Sequence, residues 1–363
     1  MRQLRLGMVG GGEGAFIGAV HRIAARIDGR FSLVAGALSS DPARARTSAD
    51  ALGLARSYGS FEEMARAEAA HPEGIEAVAI VTPNHMHYPI ARAFLENGIH
   101  VICDKPLTAT LAQAEELAEV AAASEALFVL THTYAGYPMI REARRLVREG
   151  AIGNVRLVHA EYVQDWLAKA GTSRQAEWRA DPARSGAGGA IADIGSHAAH
   201  LVRYVSHLPI ESVSAELSTF VPGRLVDDNA QVMMRLGNAR GMLWATQVAS
   251  GYENDIRLRV IGDTGSLDWS HADPNRLRFG GLGTPETILT RGGAGFQGAA
   301  RVPAGHPEGY LEAFASIYSD AADAILAGKM PEHLPGIQDG LDGMRFIEAC
   351  IRSSRANGVW TPL

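Results

Sequence analysis

Cysteine is scarce in this chain: Cys103 and Cys350 are the only two among 363 residues. Two thiols so far apart make no disulfide framework, and a reducing compartment is the simpler setting. No run of about eighteen apolar residues occurs, so no membrane span is expected. Met1 to Leu6 lead straight into a strand without the apolar core and cleavage site of a secretory leader, and the expected location is the cytoplasm. Positive charge is also limited, with 34 Lys and Arg against 40 Asp and Glu for a net charge of -6. Displacing counterions from nucleic acid needs a basic face, so no nucleic-acid partner is expected. There is no internal repeat, no low-complexity tail and no metal site in view.

What remains is an ordinary globular composition, 47% hydrophobic and 20% charged, in a chain long enough for two cores. The first half alternates strand and helix. Leu6 to Val9 is a short apolar run, followed by the glycine-rich turn Gly10 to Gly18 and a helical stretch from Ala19 to Ile27. In that context glycines let backbone amides approach a pyrophosphate at a helix N-terminus. Gly10, Gly12 and Gly18 are the candidates, with five residues between the last two where the usual fingerprint has two. Glycine clusters also serve plain loops, and Glu13 must point away from any phosphate.

Phe31 to Leu38 reads as the next strand, ending in Ser39-Ser40-Asp41-Pro42. An acidic side chain here would accept from ribose hydroxyls of NAD, whereas Ser39, Ser40 and Arg44 could cradle the extra phosphate of NADP. Asp41-Pro42 also starts a helix. The strand Ala77 to Val81 runs into Thr82-Pro83-Asn84-His85-Met86-His87, which makes Asn84 and His87 candidates at the sheet's carboxyl edge, where open α/β folds bind ligands. The strand Val101 to Cys103 stops at Asp104-Lys105-Pro106 and offers Lys105 to the same edge; the plainer reading is a solvated lysine opening a turn. With Leu127 to Thr131 the count predicts a six-stranded parallel, doubly wound sheet over residues 1-132.

Residues 133-363 read differently, as an α+β domain with a large, mostly antiparallel open sheet. A helix over Pro138 to Glu149 precedes a strand from Val155 to Trp166. Gly186, Gly188 and Gly189 then lead into a helical pattern from Ala190, and this spacing sets Asp193 and His197 one turn apart on one face. A carboxylate beside an imidazole is a common general acid/base pairing, although such pairs also occur on plain surfaces. The preceding glycines would let a ligand approach. His200, three residues past His197, could face the same cleft, but the plainer reading is a satisfied buried histidine. Strand-like runs follow over 212-221, 229-236, 241-250, 255-261 and 266-269, with Trp244, Met242 and Met233 offered to a second subunit. The segment Gly280 to Gly305 reads as a loop without regular structure, and His306 opens a helix through Ala327.

Four stretches together resemble the glucose-fructose oxidoreductase / inositol 2-dehydrogenase / MocA family. They are the glycine turn ending Gly18-Ala19-Val20-His21, the run Thr82 to His87, Cys103-Asp104-Lys105-Pro106-Leu107, and Gly188 to His197. The resemblance implies a Rossmann domain followed by a substrate domain, and a sugar or inositol dehydrogenase using NAD or NADP, with NAD favoured. It also implies that Lys105 lies beside the nicotinamide at the reacting hydroxyl, that Thr82, Pro83 and Asn84 line the cofactor, that His197 accepts the proton and that Asp193 helps bind substrate. Tyr134, Trp178 and His306 are further substrate candidates, and Lys105 and His197 are expected to converge on one cleft. Two other activities within the family stay open, a redox glycosidase and a non-catalytic nucleotide sensor, and a homodimer or homotetramer through the C-terminal sheet is expected. Asp104 stands where the family's motif has glutamate, and His200 where many relatives carry aspartate.

Overall fold

The apolar runs of the first half cannot pair as hairpins, because a helical stretch separates each from the next, so they must pair in parallel. The structure, a computed structural model, describes residues 2–169 and 181–363. It divides into two units, one of residues 1–133 with 310–341 and one of residues 134–309 with 342–363. In the first unit the elements run β1 (Leu4–Gly10), α1 (Phe16–Ile27), β2 (Phe31–Ala37), α2 (Pro42–Ala51), β3 (Arg56–Ser57), α3 (Phe61–Ala70), β4 (Ala77–Val81), α4 (His87–Glu96), β5 (His100–Cys103), α5 (Leu111–Ala123) and β6 (Phe128–Leu130). The strands form one sheet in the order β3-β2-β1-β4-β5-β6, every pair parallel. This is the doubly wound sheet expected. Order reverses between β1 and β4, which is the topological switch point.

Residues 310–341 depart from the expected division, which assigned everything after residue 132 to the second domain. The helix Tyr310–Ala327 buries Phe314, Ile317, Tyr318 and Ala321 in one core with Leu4, Val20 and Phe31 of the parallel sheet and α1. Burying a large apolar side chain contributes about 1.5–3 kcal/mol, so this helix is bound to the first unit by its apolar face. Farther on, Leu130 N donates to Pro335 O at 3.0 Å and Val129 bridges Gly336. That segment covers the open edge of β6, which an exposed strand would otherwise present for unwanted pairing.

The second unit holds α6 (Pro138–Arg148), β7 (Val155–Val163), a π-helical turn at Ile191–Gly195 that continues as α7 (Ser196–Ser206), and β8 (Ser212–Ser218), β9 (Asn229–Leu236), β10 (Ala239–Thr246), β11 (Asp255–Gly262), β12 (Gly265–Ser270), β13 (Arg276–Gly281), β14 (Thr287–Thr290) and β15 (Thr361–Pro362). The nine strands are ordered β14-β13-β12-β11-β7-β10-β9-β8-β15. Only β7 and β10 pair in parallel. One face of each central strand is buried and the other open, as the alternation in β9 and β10 requires. The expected irregular loop over Gly280 to Gly305 is corrected at its start: Thr287–Thr290 pairs antiparallel with β13 and closes that end of the sheet. Its glycines had masked a short β-branched run, and edge strands need little more than that.

Candidate active site

In the first unit the carboxyl ends of β1, β2, β4 and β5 carry the residues expected to meet a nucleotide. Gly10, ending β1, lies opposite Val81, ending β4. Gly10, Gly11 and Gly14 hold φ values of +80°, +71° and +78°, a region that disfavours side chains. A Cβ on Gly18 would come within 2.4 Å of the Gly11 Cα, so Gly18 lets α1 close on the loop despite the stretched spacing. Glu13 is exposed, and its amide donates to Ser48 Oγ at 3.2 Å, tying the loop to α2.

The turn after β2 is largely self-satisfied. Asp41 Oδ1 accepts from the amides of Ala43 and Arg44 at 2.9 and 3.0 Å, and Ser39 Oγ accepts from the Asp41 amide at 3.1 Å. Ser40 and Arg44 are exposed. After β4, Pro83 is half-buried and Asn84 buried in a short 3-10 turn. Thr82 Oγ1 is buried with no hydrogen-bond partner, a polar atom left for a ligand beside the glycine loop. The bare faces of Gly10, Gly12 and Gly18 are taken up by Thr82, Leu38 and Gly11, so these glycines shape a tight turn whose backbone amides would meet the phosphates of a dinucleotide, and Thr82, Pro83 and Asn84 would line it.

His87 differs from its expected role as a cofactor contact. It is fully enclosed, with Nδ1 2.8 Å from the Pro106 carbonyl and Nε2 2.9 Å from the Thr82 carbonyl. Its ring therefore joins the two turns that carry Thr82 and Lys105, and burial lowers its pKa. The Lys105-Pro106 peptide is cis. Beside it, Asp104 N donates to Ile80 O at 2.9 Å, and the Asp104 carboxylate accepts from Thr131 Oγ1 at 3.0 Å and faces His21 Nε2 at 3.9 Å. Burial alone would raise the Asp104 pKa, but His21, with Lys105 and His87 adding charge, holds it well below the usual carboxylate range. His21 is in turn fixed by Tyr318 Oη at 2.8 Å.

In the second unit, the π turn carries Asp193 and α7 carries His197. Asp193 Oδ2 accepts from Gln247 Nε2 at 2.9 Å. The buried His197 ring packs edge-on against Tyr134 at 5.1 Å and lies 6.1 Å from Tyr162. The Tyr134 hydroxyl is 2.6 Å from that of Tyr162, which donates to Asn254 Oδ1 at 2.9 Å. Gln164 and then Trp166 extend the chain of hydrogen bonds. Burial pushes the Tyr134 phenol up to about 12, so it stays protonated and donating at neutral pH. His200 is buried and stacked on Tyr204 at 5.4 Å. His306 is exposed, and its carbonyl accepts from the buried Arg291. Trp178 lies outside the described residues. Among the described residues no group of His, Cys, Asp and Glu is arranged to hold a metal ion, and no helix is long and apolar enough to cross a membrane.

Comparison with known proteins follows the same division. A family model described as "Oxidoreductase family, NAD-binding Rossmann fold" matches residues 4–143, and one described as "GFO/IDH/MocA C-terminal domain" matches residues 140–268. The chain belongs to the GFO/IDH/MocA oxidoreductase family. It is 33% identical to the uncharacterized oxidoreductase YfiI of Bacillus subtilis, covering 99% of this chain and 96% of that one. Among solved structures, an oxidoreductase from Sinorhizobium meliloti is 52% identical over 99% of both chains, with a TM-score of 0.92. An inositol dehydrogenase homolog from Azotobacter vinelandii, complexed with NAD+, is 36% identical over 100% of this chain and 98% of that one, with a TM-score of 0.95. This member of the GFO/IDH/MocA family is therefore an NAD(P)-dependent oxidoreductase with an NAD-binding Rossmann domain.

Sequence reasoning missed Gln247, Tyr162, Asn254, Gln164, His21 and Asp227. Gln247 falls inside the run 241-250 that reads as a strand, although β10 ends at Thr246, and Asn254 lies in the turn before β11. Tyr162 stands on the buried face of β7 and reads there as core.

Proposed function

We propose that the chain oxidises a secondary hydroxyl of a sugar or cyclic polyol. The observation that carries this reading is the held pair on the π turn and α7, with Asp193 bonded by Gln247 and the buried His197 ring fixed by Tyr134. Bound nicotinamide dinucleotide supplies the hydride acceptor. His197 takes the hydroxyl proton, Asp193 binds a neighbouring hydroxyl, and the Lys105 ammonium stabilises the alkoxide as its charge develops. Polyol recognition needs several acceptors and donors at fixed positions, which the Tyr162–Asn254–Gln164–Trp166 network supplies. Support for the substrate class also comes from relatives, since the Azotobacter protein has been solved with NADH and myo-inositol and a levoglucosan dehydrogenase with NADH and levoglucosan. NAD is the preferred cofactor in this reading. The exposed Ser40 and Arg44 make NADP the competing outcome.

Assembly follows from the open sheet face. Met242 and Met233 lie directly opposite each other on neighbouring strands and are 61% and 51% exposed. Leu157 and Ile261 form a second apolar pair nearby. Ion pairs of Arg257 with Glu161 and Arg259 with Asp268 lie on neighbouring positions. Two exposed apolar pairs among charged neighbours suit a self-complementary contact with a second copy of the chain.

The test screens NAD+ and NADP+ against inositols and aldoses, following absorbance of the reduced nicotinamide. Lys105→Ala and His197→Ala should each lower kcat by about 10²- to 10⁴-fold while nucleotide affinity is kept. Near-normal turnover in either variant overturns the assignment. Aryl glycoside cleavage without net cofactor reduction would replace it with a redox glycosidase, and tight nucleotide binding without turnover on any polyol would replace it with a sensor.

A further inference from the structure

A helix begins with amides that have no partner inside it, and the segment bearing Asp193 and His197 meets this need in an unusual way. Asp227 Oδ1 accepts from the Gly189 amide at 2.6 Å, and Oδ2 accepts from the Ile191 amide at 2.8 Å. The Asp227 carbonyl accepts from the amide between them, Ala190 N, at 2.9 Å. One buried residue thus holds three consecutive amides. An ordinary N-cap is local to the first turn, whereas this one arrives from the turn before β9. The approach is so close that a Cβ on Gly189 would lie 2.0 Å from the Asp227 carbonyl oxygen. The bare position of Gly189 therefore serves this backbone contact and not the approach of a ligand.

The neighbouring residue extends the arrangement. The Asp228 carboxylate is buried against the amides of Phe220 and Val221 and the guanidinium of Arg224. Its carbonyl accepts from Gln247 N at 2.9 Å and from Thr246 Oγ1 at 3.1 Å. Gln247 is the residue whose side chain holds Asp193. Two consecutive aspartates therefore anchor both the backbone that carries Asp193 and His197 and the amide that orients the Asp193 carboxylate. A π turn at this place is consistent with such a constraint, since π insertions collect at functional sites.

We infer that Asp227 is a positioning residue for the reaction: through Gly189, Ala190 and Ile191 it sets the placement of Asp193 and His197, and with Gln247 fixed to Asp228 it sets the direction of the Asp193 carboxylate. This rests on the reading that Asp193 and His197 serve the substrate. An ionised carboxylate only accepts, so it satisfies both facing N–H groups; an asparagine of the same shape must turn a donor toward one of them. A misplacement of about 1 Å at a reacting group can cost about 10²-fold in rate.

The test compares wild type, Asp227→Asn, Gln247→Met and His197→Ala with NAD+ and the polyol turned over in the screen. Asp227→Asn should lower kcat by about 10- to 100-fold with unchanged NAD+ affinity, and should raise the deuterium isotope effect from the oxidised carbon as the chemical step becomes limiting. A purely structural role predicts a lower Tm with wild-type kcat and isotope effect in the folded protein, and that result overturns the inference. Should Asp227→Asn not fold, Gln247→Met leaves the helix backbone untouched and carries the test: a fall in kcat with NAD+ affinity kept supports the inference, and wild-type kcat overturns it. Loss of turnover in His197→Ala with full turnover in Asp227→Asn would sink the positioning role alone. Full turnover in His197→Ala would sink both it and the functional reading.

Discussion

Gly189→Ala tests the backbone contact that holds the segment bearing Asp193 and His197. The added methyl would stand 2.0 Å from the Asp227 carbonyl oxygen and 2.8 Å from Val226 Cγ2, where real contacts essentially never fall below 3.0 Å. The two backbones must then part by about 1 Å, which carries the 2.9 Å bond from Ala190 N to Asp227 O beyond hydrogen-bond range. A buried amide left unsatisfied costs about 1–3 kcal/mol. Because the Gly189 amide bond to the same residue is strained as well, a loss of about 3 kcal/mol is expected. For a unit of this size each kcal/mol moves Tm by about 2–4 °C, so thermal unfolding should shift down by roughly 6–12 °C. Gly188→Ala is the internal control. The three atoms nearest its Cβ would all be on side chains, Ile191 Cγ2 at 2.9 Å, Ala192 Cβ at 3.1 Å and Ile347 Cγ2 at 3.4 Å, and repacking should hold the loss to about 1 kcal/mol. A Gly189→Ala protein that melts with wild type, or a Gly188→Ala protein that melts lower still, would refute the argument.

Two further outcomes follow from the same contacts and from the open sheet face. Burial raises the Asp227 carboxyl from 3.8 to about 6, with Asp228 pushing the same way and the amides of Gly189 and Ile191 pulling against it; Arg224 stands on Asp228, and the Cys350 thiol also feels Asp227. The folded chain then binds more protons than the unfolded one, so this contribution to stability is full below about 3.8 and lost as pH rises through about 6, about 3 kcal/mol in total. Denaturant midpoints should show wild type losing roughly 1 kcal/mol relative to Asp227→Asn between about pH 5 and pH 8, and a flat or opposite difference would contradict it. On the open sheet face, Met242→Lys should lower the mass seen by light scattering while Tm of the remaining species changes little; an unaltered assembly would remove that face as the contact.

Much of the first unit was legible because parallel strands are buried on both faces and read as continuous apolar runs. Ala77 to Val81 and Val101 to Cys103 are of this kind, and the polar residues just past their ends name the ligand edge without any coordinates. Legibility failed where a residue's role depends on a distant partner. His87 has the sequence position of a ligand contact, yet its ring spans Thr82 and Pro106. The helix Tyr310–Ala327 lies 310 residues into the chain, and no local pattern says that its apolar face belongs with Leu4 and Phe31. Thr287–Thr290 became a strand only because β13 offered it an edge.

The sequence by itself determined the alternation of strand and helix and the glycine turn, and it offered Lys105, Asp193 and His197 as candidates for the chemistry. Those features follow from local rules: hydrophobic period, backbone freedom and side-chain type. Only the tertiary structure decided what holds them. His21 and Thr131 converge on Asp104, Gln247 on Asp193, and Asp227 on three amides ahead of His197. Each of these partners is set by pairing between segments far apart in the chain, whose free energy comes from burying both sides together and is therefore written in neither segment alone.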